Sequence, residues 1–369
     1  MNYRIRKTLA DYKLTTYIHE DCQLPADALD CSLGINPFGC TPAITQEIFA
    51  RAFAAIEAYP PYPYTELKKA IANYLSPLTE IEPAQITLHN GSIGMIIHLN
   101  RMLVEEGTRI LAGGPSFSSA ITDMRAMGGI IDLIYLKEAD RFAFSSAAYL
   151  RALEPEHALV YIDNPNNPTG QVIPVAELEK LAIACLKQDT LLLVDEAYGD
   201  FMALQNSSLS LLEKYENVIV LKTLSKGLGL AGLRTGYAVV PRAFVPYMQK
   251  LPAEMAVTGI AAELAPYALA DRTHLQSSIE KIRKNKEELL GFCRQLKAAE
   301  TDNSVPITLL YTDKDVDLFA ICLRNGIIGE RGEDFEGIGK RHIRLRVPRE
   351  MKTLLPRLAL VERELQKLP

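Results

Sequence analysis

The chain has 369 residues, a length that predicts one large domain and a smaller second one. Its composition is that of a globular enzyme, with 48% hydrophobic and 23% charged residues, and its net charge of -5 argues against a nucleic-acid or anionic-membrane surface. Six scattered cysteines without C-x-x-C pairs, no signal peptide and no apolar run of membrane length predict a cytoplasmic protein with reduced thiols and no metal site.

The N-terminal part of the chain is predicted to form an arm and a few short elements. Its first thirty or so residues show no sustained periodicity, so we expect them to be ordered by packing on another part of the protein. A short strand and a turn follow within residues 30–39, and an amphipathic pattern predicts a helix over 42–57. Three prolines favour an extended path through 59–64, after which a helix is predicted to reach residue 75.

From residue 85 to residue 241 the chain alternates between short apolar runs and helical patterns. The predicted helices cover 95–106, 117–127 and 175–188, and the predicted strands cover 86–88, 109–112, 130–136, 159–163, 191–195, 218–221 and 237–241. Such alternation predicts an α/β fold whose mainly parallel, seven-stranded sheet lies between helices. Ligands bind at the carboxyl ends of the strands in such sheets, and Asp163, Asp195 and Lys226 are predicted to lie there.

The last third of the chain is predicted to form a smaller α/β domain. Residues 255–299 are mostly helical in pattern, and their charged run at 280–288 is typical of a solvated helix face. Further elements are strands at 307–311 and 342–347, a helix near 317–324 and a closing helix from 349. The expected organisation is an N-terminal arm over 1–30 that is part of the small domain, a large domain over 31–250 and a small C-terminal domain over 251–369.

Residues 218–234 combine a buried strand, a Ser-Lys pair, a glycine-rich loop and an arginine eight residues after the lysine. Lys226 could bind a carbonyl group as a Schiff base, while nearby hydroxyls and Arg234 could anchor a phosphate. The alternative for this stretch alone is a lysine at a strand end followed by a turn. Residues 227–232 also fit G-x-G-x-x-G, but the strand predicted at 237–241 leaves no room for the helix of a dinucleotide site.

Two other strand ends carry polar residues that could contact a ring. Asp195 ends an apolar strand, and a buried carboxylate is costly unless it meets a cation such as a protonated pyridine nitrogen. An N-cap role is the alternative for Asp195. The turn at 163–170 contains Asn166 and Asn167, and it is either simply rigid or aims an amide at a bound ring.

Together these motifs resemble the fold-type I pyridoxal-phosphate enzymes, the aspartate aminotransferase superfamily. The resemblance is carried by Asn-Pro-Thr-Gly at 167–170, Asp-x-x-Tyr at 195–198 and Ser-Lys at 225–226 with Arg234. The segments 33–37, 59–60 and 232–237 are similar to the branch of histidinol-phosphate aminotransferase and threonine-phosphate decarboxylase. The resemblance covers nearly the whole chain and is specific for cofactor and fold, less so for substrate.

The resemblance implies a role for particular residues toward pyridoxal 5'-phosphate. Lys226 would bind the cofactor covalently and move the substrate's α-proton, and Asp195 would pair with the pyridine nitrogen. Tyr198 and Asn167 would hydrogen-bond the ring oxygen, and Phe117 would stack on the ring. The cofactor's phosphate would be bound by Thr223, Ser225, Arg234, the backbone N–H groups of Ser92 and Ile93, and Tyr59 of a neighbouring subunit. The role of Tyr59 in a neighbouring subunit's site implies a homodimer with shared active sites.

For the substrate, the resemblance implies that Arg344 binds the carboxylate and that Asn36 lies near it. Strand alternation puts Arg344 and Arg346 on one face, so periodicity alone does not choose between them. The chain departs from the branch at Ile93 and Gly94, where acidic residues are usual. It departs again at 329–336, where phosphate-handling relatives carry an arginine and this chain has an acidic loop over 330–336. That loop is either solvated or part of a site for a cationic, arginine-like substrate.

The function expected from the sequence is that of a homodimeric pyridoxal-phosphate aminotransferase acting on an amino acid. A lyase or cyclase on the same fold, decarboxylating or cyclising an arginine-like amino acid, is the alternative, because the same residues support those reactions. A cofactor-sensing DNA-binding regulator is disfavoured, since the motifs begin within the first forty residues and leave no room for a DNA-binding appendage.

Overall fold

A computed structural model describes residues 5–9 and 27–368, so most of the predicted N-terminal arm, with Cys22, lies outside the described residues. The strands are β1 (Leu29–Asp30), β2 (Ile86–Asn90), β3 (Arg109–Gly114), β4 (Ile130–Tyr135), β5 (His157–Asp163), β6 (Leu191–Asp195), β7 (Val218–Thr223), β8 (Thr235–Val239), β9 (Lys297–Ala298), β10 (Ile307–Tyr311), β11 (Ile327–Ile328), β12 (Glu330–Arg331) and β13 (His342–Arg346).

The helices account for most of the remaining regular structure. They are α1 (Gln46–Phe53), α2 (Thr65–Leu75), α3 (Gly91–Leu103), α4 (Ser118–Ala126), α5 (Ser146–Ala152), α6 (Val175–Leu186), α7 (Val245–Met248), α8 (Gly259–Ala270), α9 (Arg272–Phe292), α10 (Leu318–Arg324) and α11 (Met351–Gln366). Within the described part of the chain, none of these helices combines the length and the apolar character needed to cross a bilayer.

The predicted seven-stranded sheet is confirmed. Its strand order is β2-β8-β7-β6-β5-β3-β4, and every neighbouring pair is parallel except the two pairs made by β8. Every residue of β7 is buried, because helices cover both faces of the sheet. Strands buried on both faces are therefore predicted by continuous apolar runs, and not by alternation of apolar and polar residues.

The strand register places the candidate functional residues beside one another. Asp163 and Asp195 are paired residues at the ends of the parallel strands β5 and β6. Lys226 follows β7, which is the next strand in the sheet. The three polar positions predicted at strand ends thus meet at one edge of the sheet.

Several elements differ from their predicted extent. Helix α3 begins at Gly91 rather than at residue 95, immediately after β2, and this shift brings its N-terminus to the sheet edge. The helix predicted over 42–57 is α1 followed by a 3-10 turn over Ala54–Glu57. The short helices α5 and α7 have no counterpart in the sequence patterns, since seven and four residues are too few to show a helical period.

The C-terminal elements build a second, antiparallel sheet in the order β12-β13-β10-β9. β1 precedes the large sheet in the chain. It pairs in parallel with β11, and so the N-terminal segment packs with the C-terminal elements. The charged run on α9 was expected to be solvated, and its charged residues are exposed with one exception. Lys286 is fully buried, so that part of the prediction is wrong.

Candidate active site

A cleft of about 860 Å³ opens at the carboxyl edge of the large sheet, next to the antiparallel sheet. Most of the residues predicted to bind cofactor or substrate line it. These are Ser92, Ile93, Phe117, Asn167, Asp195, Tyr198, Ser225, Lys226, Arg234 and Arg344. The structure therefore brings together residues that are up to 252 positions apart in the chain, from Ser92 to Arg344.

Lys226 supplies an amine inside the cleft. Its Nζ lies 5.3 Å from the centroid of the Tyr198 ring. Burial lowers the pKa of Lys226 to about 8, and the positive charges of Arg344 and Arg234 lower it further than the opposing carboxylates can restore. A lowered pKa leaves more of the amine unprotonated near neutral pH, which is the state that attacks a carbonyl.

Asp195 supplies a carboxylate on the neighbouring strand. Its Oδ1 accepts the backbone N–H of Ala197 at 2.9 Å, and its Oδ2 accepts the hydroxyl of Tyr161 at 3.1 Å. Burial nevertheless raises the pKa of Asp195 to about 6. A cation placed against Asp195 would offset that burial cost and keep the carboxylate ionised.

Asp163 organises the floor of the cleft, a role that the sequence patterns do not reveal. Its two oxygens accept the backbone N–H groups of Phe117 at 3.2 Å and Asn167 at 2.9 Å, and also side-chain hydrogens of Ser116 and Asn166. These bonds fix the positions of the predicted stacking ring and the predicted ring-binding amide. Even so, burial raises the pKa of Asp163 to about 7.

The start of α3 forms a place for an anion. The first N–H groups of a helix have no partner within the helix and face outward with the positive end of its dipole. Ser92 and Ile93 lie in this first turn and line the cleft. Gly91 has φ +73°, and a Cβ there would lie 2.5 Å from Arg234 Nη2, so glycine is needed for the guanidinium to approach.

Arg234 and the hydroxyls after β7 complete this anion site. Arg234 Nη1 lies 3.4 Å from Ser225 Oγ, and both side chains line the cleft. Thr223 is buried behind them, with its Oγ1 at 3.0 Å from Ser225 Oγ and 3.2 Å from the Ser225 backbone nitrogen. Thr223 thus holds Ser225 in place, while its predicted direct contact with a phosphate stays a prediction.

The N-terminal segment at 33–37 closes one side of the cleft. Gly34 packs so closely on Tyr198 that a Cβ at Gly34 would lie 1.7 Å from the tyrosine hydroxyl oxygen. Any larger residue at Gly34 would have to displace the Tyr198 ring. This steric limit explains the glycine of the Leu-Gly-Ile-Asn-Pro motif. Asn36 does not line the cleft; its amide donates to the Gly227 carbonyl at 3.0 Å and accepts from the Phe38 N–H at 2.9 Å. Its predicted place near the substrate carboxylate stays a prediction.

The structure distinguishes the two arginines of β13. Arg344 lies in the cleft, where Nη1 donates to Asn167 Oδ1 at 2.8 Å and Nη2 donates to the Ser32 carbonyl and to Glu330. Arg346 donates instead to the backbone carbonyl of Asp30 at 2.6 Å. Arg344 is therefore the guanidinium available to a substrate carboxylate.

The acidic loop at 330–336 is not simply solvated. Glu330 belongs to β12 and is buried in the cleft, Asp334 is also buried, and Glu336 forms an ion pair with Arg125 of α4. Of the loop's acids, Glu333 alone is exposed. Glu330 directly follows the apolar run 327–329. An acid at the end of an apolar run was the pattern that predicted a buried carboxylate at Asp195, and the same pattern could have predicted one at Glu330.

Tyr59 lies away from the cleft. Its side chain is 84% exposed, and it is not among the residues around Lys226. Within one chain it therefore cannot contribute to the site, and its predicted role depends on a second chain.

These groups fit pyridoxal phosphate, the cofactor expected from the sequence. A helix N-terminus with Arg234 and Ser225 suits its phosphate, and the buried Lys226 amine suits its aldehyde. The carboxylate of Asp195, whose pKa is raised by burial, suits a protonated ring nitrogen. β7, which Lys226 follows, lies between β6, which ends at Asp195, and β8, which Arg234 precedes.

Comparison with known proteins agrees with this geometry. Residues 26–358 match the family model described as "Aminotransferase class I and II". The chain is 35% identical to a histidinol-phosphate aminotransferase of Haloferax volcanii over 265 residues, which are 72% of this chain and 71% of that protein. It is 31% identical to a histidinol-phosphate aminotransferase of Methanococcoides burtonii over 329 residues, 88% of this chain and 86% of the other.

Solved structures show the same fold. Aspartate aminotransferase of Thermus thermophilus, in a tetra mutant form, superposes with a TM-score of 0.83 at 21% identity, covering 97% of this chain and 99% of that one. Histidinol-phosphate aminotransferase of Sinorhizobium meliloti, solved in complex with pyridoxal-5'-phosphate, gives a TM-score of 0.79 at 24% identity, with 92% and 91% covered. At these identities the likeness establishes the shared fold.

Proposed function

The chain belongs to the class I and II aminotransferases, and from that premise we propose how its own residues carry out the reaction. The protein is a pyridoxal-phosphate-dependent aminotransferase that acts on an amino acid. The observation that supports the assignment of roles is the position of the buried Lys226 amine, which lies in one cleft with Asp195 and Arg344.

The cofactor would be bound at both of its ends. Its phosphate would be bound by the N-terminus of α3 at Ser92 and Ile93 together with Ser225 and Arg234. Its ring would lie against Phe117, with Asp195 at the nitrogen and Tyr198 and Asn167 at the ring oxygen. When bound, pyridoxal phosphate supplies a carbonyl that condenses with the substrate amine and a ring that withdraws electrons from the α-carbon.

The protein's own part of the reaction is to hold the substrate and to move one proton. Arg344 would bind the α-carboxylate and so fix which bond of the α-carbon faces the electron-withdrawing ring. The Lys226 amine would remove the proton from the substrate's α-carbon and deliver it to the carbon that carries the cofactor's aldehyde. Asp195 would keep the ring nitrogen protonated throughout.

A panel of amino acids tests this proposal. The purified protein, loaded with pyridoxal phosphate, is mixed with each amino acid, absorbance is followed, and the products are identified by mass spectrometry. We expect one or more amino acids to yield the matching keto acid and pyridoxamine phosphate. Release of carbon dioxide, ammonia or a cyclised product without keto acid would instead assign the lyase or cyclase alternative.

The cytoplasmic location expected from the sequence stays a prediction.

We also propose that two copies of the chain share their active sites. Five large apolar or aromatic side chains between residues 49 and 62 are exposed, and a cluster of this kind marks an interface. They are Phe49, Phe53, Ile56, Tyr59 and Tyr62, with exposed fractions of 46% to 84%. A second copy covering this surface would bury them, and it would also bring Tyr59 to the cofactor phosphate of its partner.

Ile56→Asp tests the proposed interface. The side chain is 58% exposed in the single chain, so an aspartate there costs little unless a second copy covers it. In a covered position it would weaken dimerisation by about a hundredfold or more, because an unpaired charge would be buried. Sedimentation analysis should show wild type at twice the chain mass and Ile56→Asp shifted to the monomer. Leu360→Asp, at an exposed position of α11, is the control, and an Ile56→Asp protein that remains dimeric would rule out this surface.

A further inference from the structure

Glu330 is an acidic side chain inside the cleft that has no role in the reaction described above. β12 pairs with β13 in antiparallel register, and Glu330 is directly opposite Arg344. The two side chains lie on the same face of the sheet, and Arg344 Nη2 donates a hydrogen bond to Glu330 Oε1. They are 7% and 3% exposed, so the ion pair is shielded from water.

The N–H groups of Arg344 differ in whether they have a hydrogen-bond acceptor. A guanidinium has five N–H hydrogens, two of them on Nη2. Nη2 donates to both the Ser32 carbonyl and Glu330, and Nη1 donates to Asn167, whereas Nε is buried without a partner. Two parallel hydrogen bonds to a carboxylate need adjacent nitrogens, that is Nη2 together with Nε or Nη1. A substrate carboxylate bound in this way would take one of the two Nη2 hydrogens that the Ser32 carbonyl and Glu330 now accept, and it would compete with the Glu330 carboxylate for this nitrogen.

Glu330 then needs another cation. A buried carboxylate that loses its partner is strongly destabilised, because its charge is then compensated neither by water nor by a cation. Arg344 and Lys226 are the cations that act most strongly on Glu330, and both are engaged when substrate is bound. Arg331, the next residue, does not help, because its guanidinium lies 4.4 Å from the Phe319 ring centroid instead of lining the cleft.

The remaining neighbours of Glu330 strengthen the demand for positive charge. Asp334 and Asp30 act on it with the same sign as its own charge. Of the described residues that line the cleft, the one further cation is Arg234, which belongs to the anion site. A bound substrate could supply the counter-ion instead, through a group of its side chain.

We propose that Glu330 is a specificity-determining residue: it yields its place on Arg344 to the substrate carboxylate and then binds a cationic group of the substrate's side chain. The inference rests on the proposed function and specifies its substrate class as amino acids with a positively charged side chain. A phosphate, as in the histidinol phosphate for which the curated relatives are named, would meet a like charge at Glu330.

Arginine and citrulline are a matched pair for the test, because they differ in having a guanidinium or a neutral ureido group. For the wild-type holoenzyme we expect kcat/KM to be about tenfold to hundredfold higher for arginine, the range of a charge-assisted hydrogen bond. Glutamate and histidinol phosphate should be poorer substrates than citrulline. Glu330→Gln should lower kcat/KM for arginine and raise it for citrulline, because a neutral amide is displaced from Arg344 more easily.

Changes in opposite directions are the signature of a specificity role, since damage to the fold would lower both values. Glu333→Gln, at the exposed acid of the same loop, is the control and should retain the wild-type preference. A binding measurement avoids turnover altogether. Calorimetry with 5-guanidinopentanoate and 5-ureidopentanoate, which lack the α-amine, should show tighter binding of the guanidino compound to wild type and no difference for Glu330→Gln.

Three results would overturn the inference. They are a wild-type preference for citrulline, glutamate or histidinol phosphate over arginine, an arginine-to-citrulline ratio unchanged in Glu330→Gln, or equal binding of the two desamino compounds to wild type. In each case transamination of some amino acid would still support the proposed function. Failure of every amino acid to react would instead count against the proposed function itself.

Discussion

Lys226→Ala should lower the rate of transamination by about four orders of magnitude or more, since one group both binds the cofactor covalently and moves the α-proton. The amine is buried in the cleft, and its pKa is lowered to about 8, so it is suited to both tasks. Measured as the single-turnover change in cofactor absorbance with a reactive amino acid, the loss should appear in the rate of the chemical step.

Among the described residues, no second lysine lines the cleft to replace it. Lys222, four residues earlier, is buried, but Glu196 Oε2 and Asp200 Oδ1 lie 3.3 Å and 3.8 Å from its Nζ. Burial alone would lower the pKa of Lys222, yet these two carboxylates raise it above its ordinary value, so its amine stays protonated. Lys222 also does not line the cleft.

Lys250→Ala, which removes an exposed lysine, is the control for Lys226→Ala and should keep wild-type activity. Borohydride reduction of the loaded wild-type protein followed by peptide mass spectrometry gives an independent readout, and the cofactor should be found on the peptide that contains Lys226. A label on another lysine, or a Lys226→Ala protein retaining a tenth of the wild-type rate, would contradict the assigned role.

Lys286→Met should lower the free energy of unfolding by about 1–3 kcal/mol, the cost of leaving a buried hydrogen-bonding group without its partner. Lys286 is fully buried on α9, and four oxygens share the three hydrogens of its ammonium. Three of them are the backbone carbonyls of Asp302, Val305 and Ile307 at 2.7–2.9 Å, and the fourth is Thr301 Oγ1. Methionine has a similar length and no donor, so the carbonyls would lose this partner, although the Asp302 carbonyl would keep the Val305 N–H at 3.1 Å.

The loss of these hydrogen bonds in Lys286→Met should also loosen segments next to the active site. The loop held by Lys286 also bonds the turn before α6, since the Asp302 N–H donates to the Gly170 carbonyl at 2.9 Å. Gly170 has φ +75°, and a Cβ there would lie 2.3 Å from the Ile307 carbonyl oxygen, so the two segments are in close contact. The same turn carries Asn167, which binds Arg344.

Chemical denaturation of the cofactor-loaded protein measures the effect. Lys284→Met, at an exposed position of the same helix, is the matched control and should change stability by less than about 0.5 kcal/mol. Equal unfolding midpoints for Lys286→Met and Lys284→Met would show that the buried ammonium does not hold the loop.

Much of the cofactor site could be predicted from sequence because its chemistry is local. Lys226, Asp195 and Asn167 each follow a strand within a short motif, and parallel strands bring their carboxyl ends to one edge. The α/β fold follows from the same apolar runs, whereas the order of the strands is known only from the structure. The predicted start of α3 was four residues late, because Gly91 and Ser92 give no apolar period, although they begin the helix that forms the anion site.

The sequence by itself determined the fold class and the cofactor and predicted the reactive lysine, since each depends on residues adjacent in the chain. Periodicity did not separate Arg344 from Arg346, although the family resemblance favoured Arg344. Only the tertiary structure showed that Lys286 is buried within a charged helix face and that Glu330 is the partner of Arg344. Those outcomes depend on register and packing between segments distant in sequence, and a periodic pattern records which face a residue occupies but not what lies opposite it.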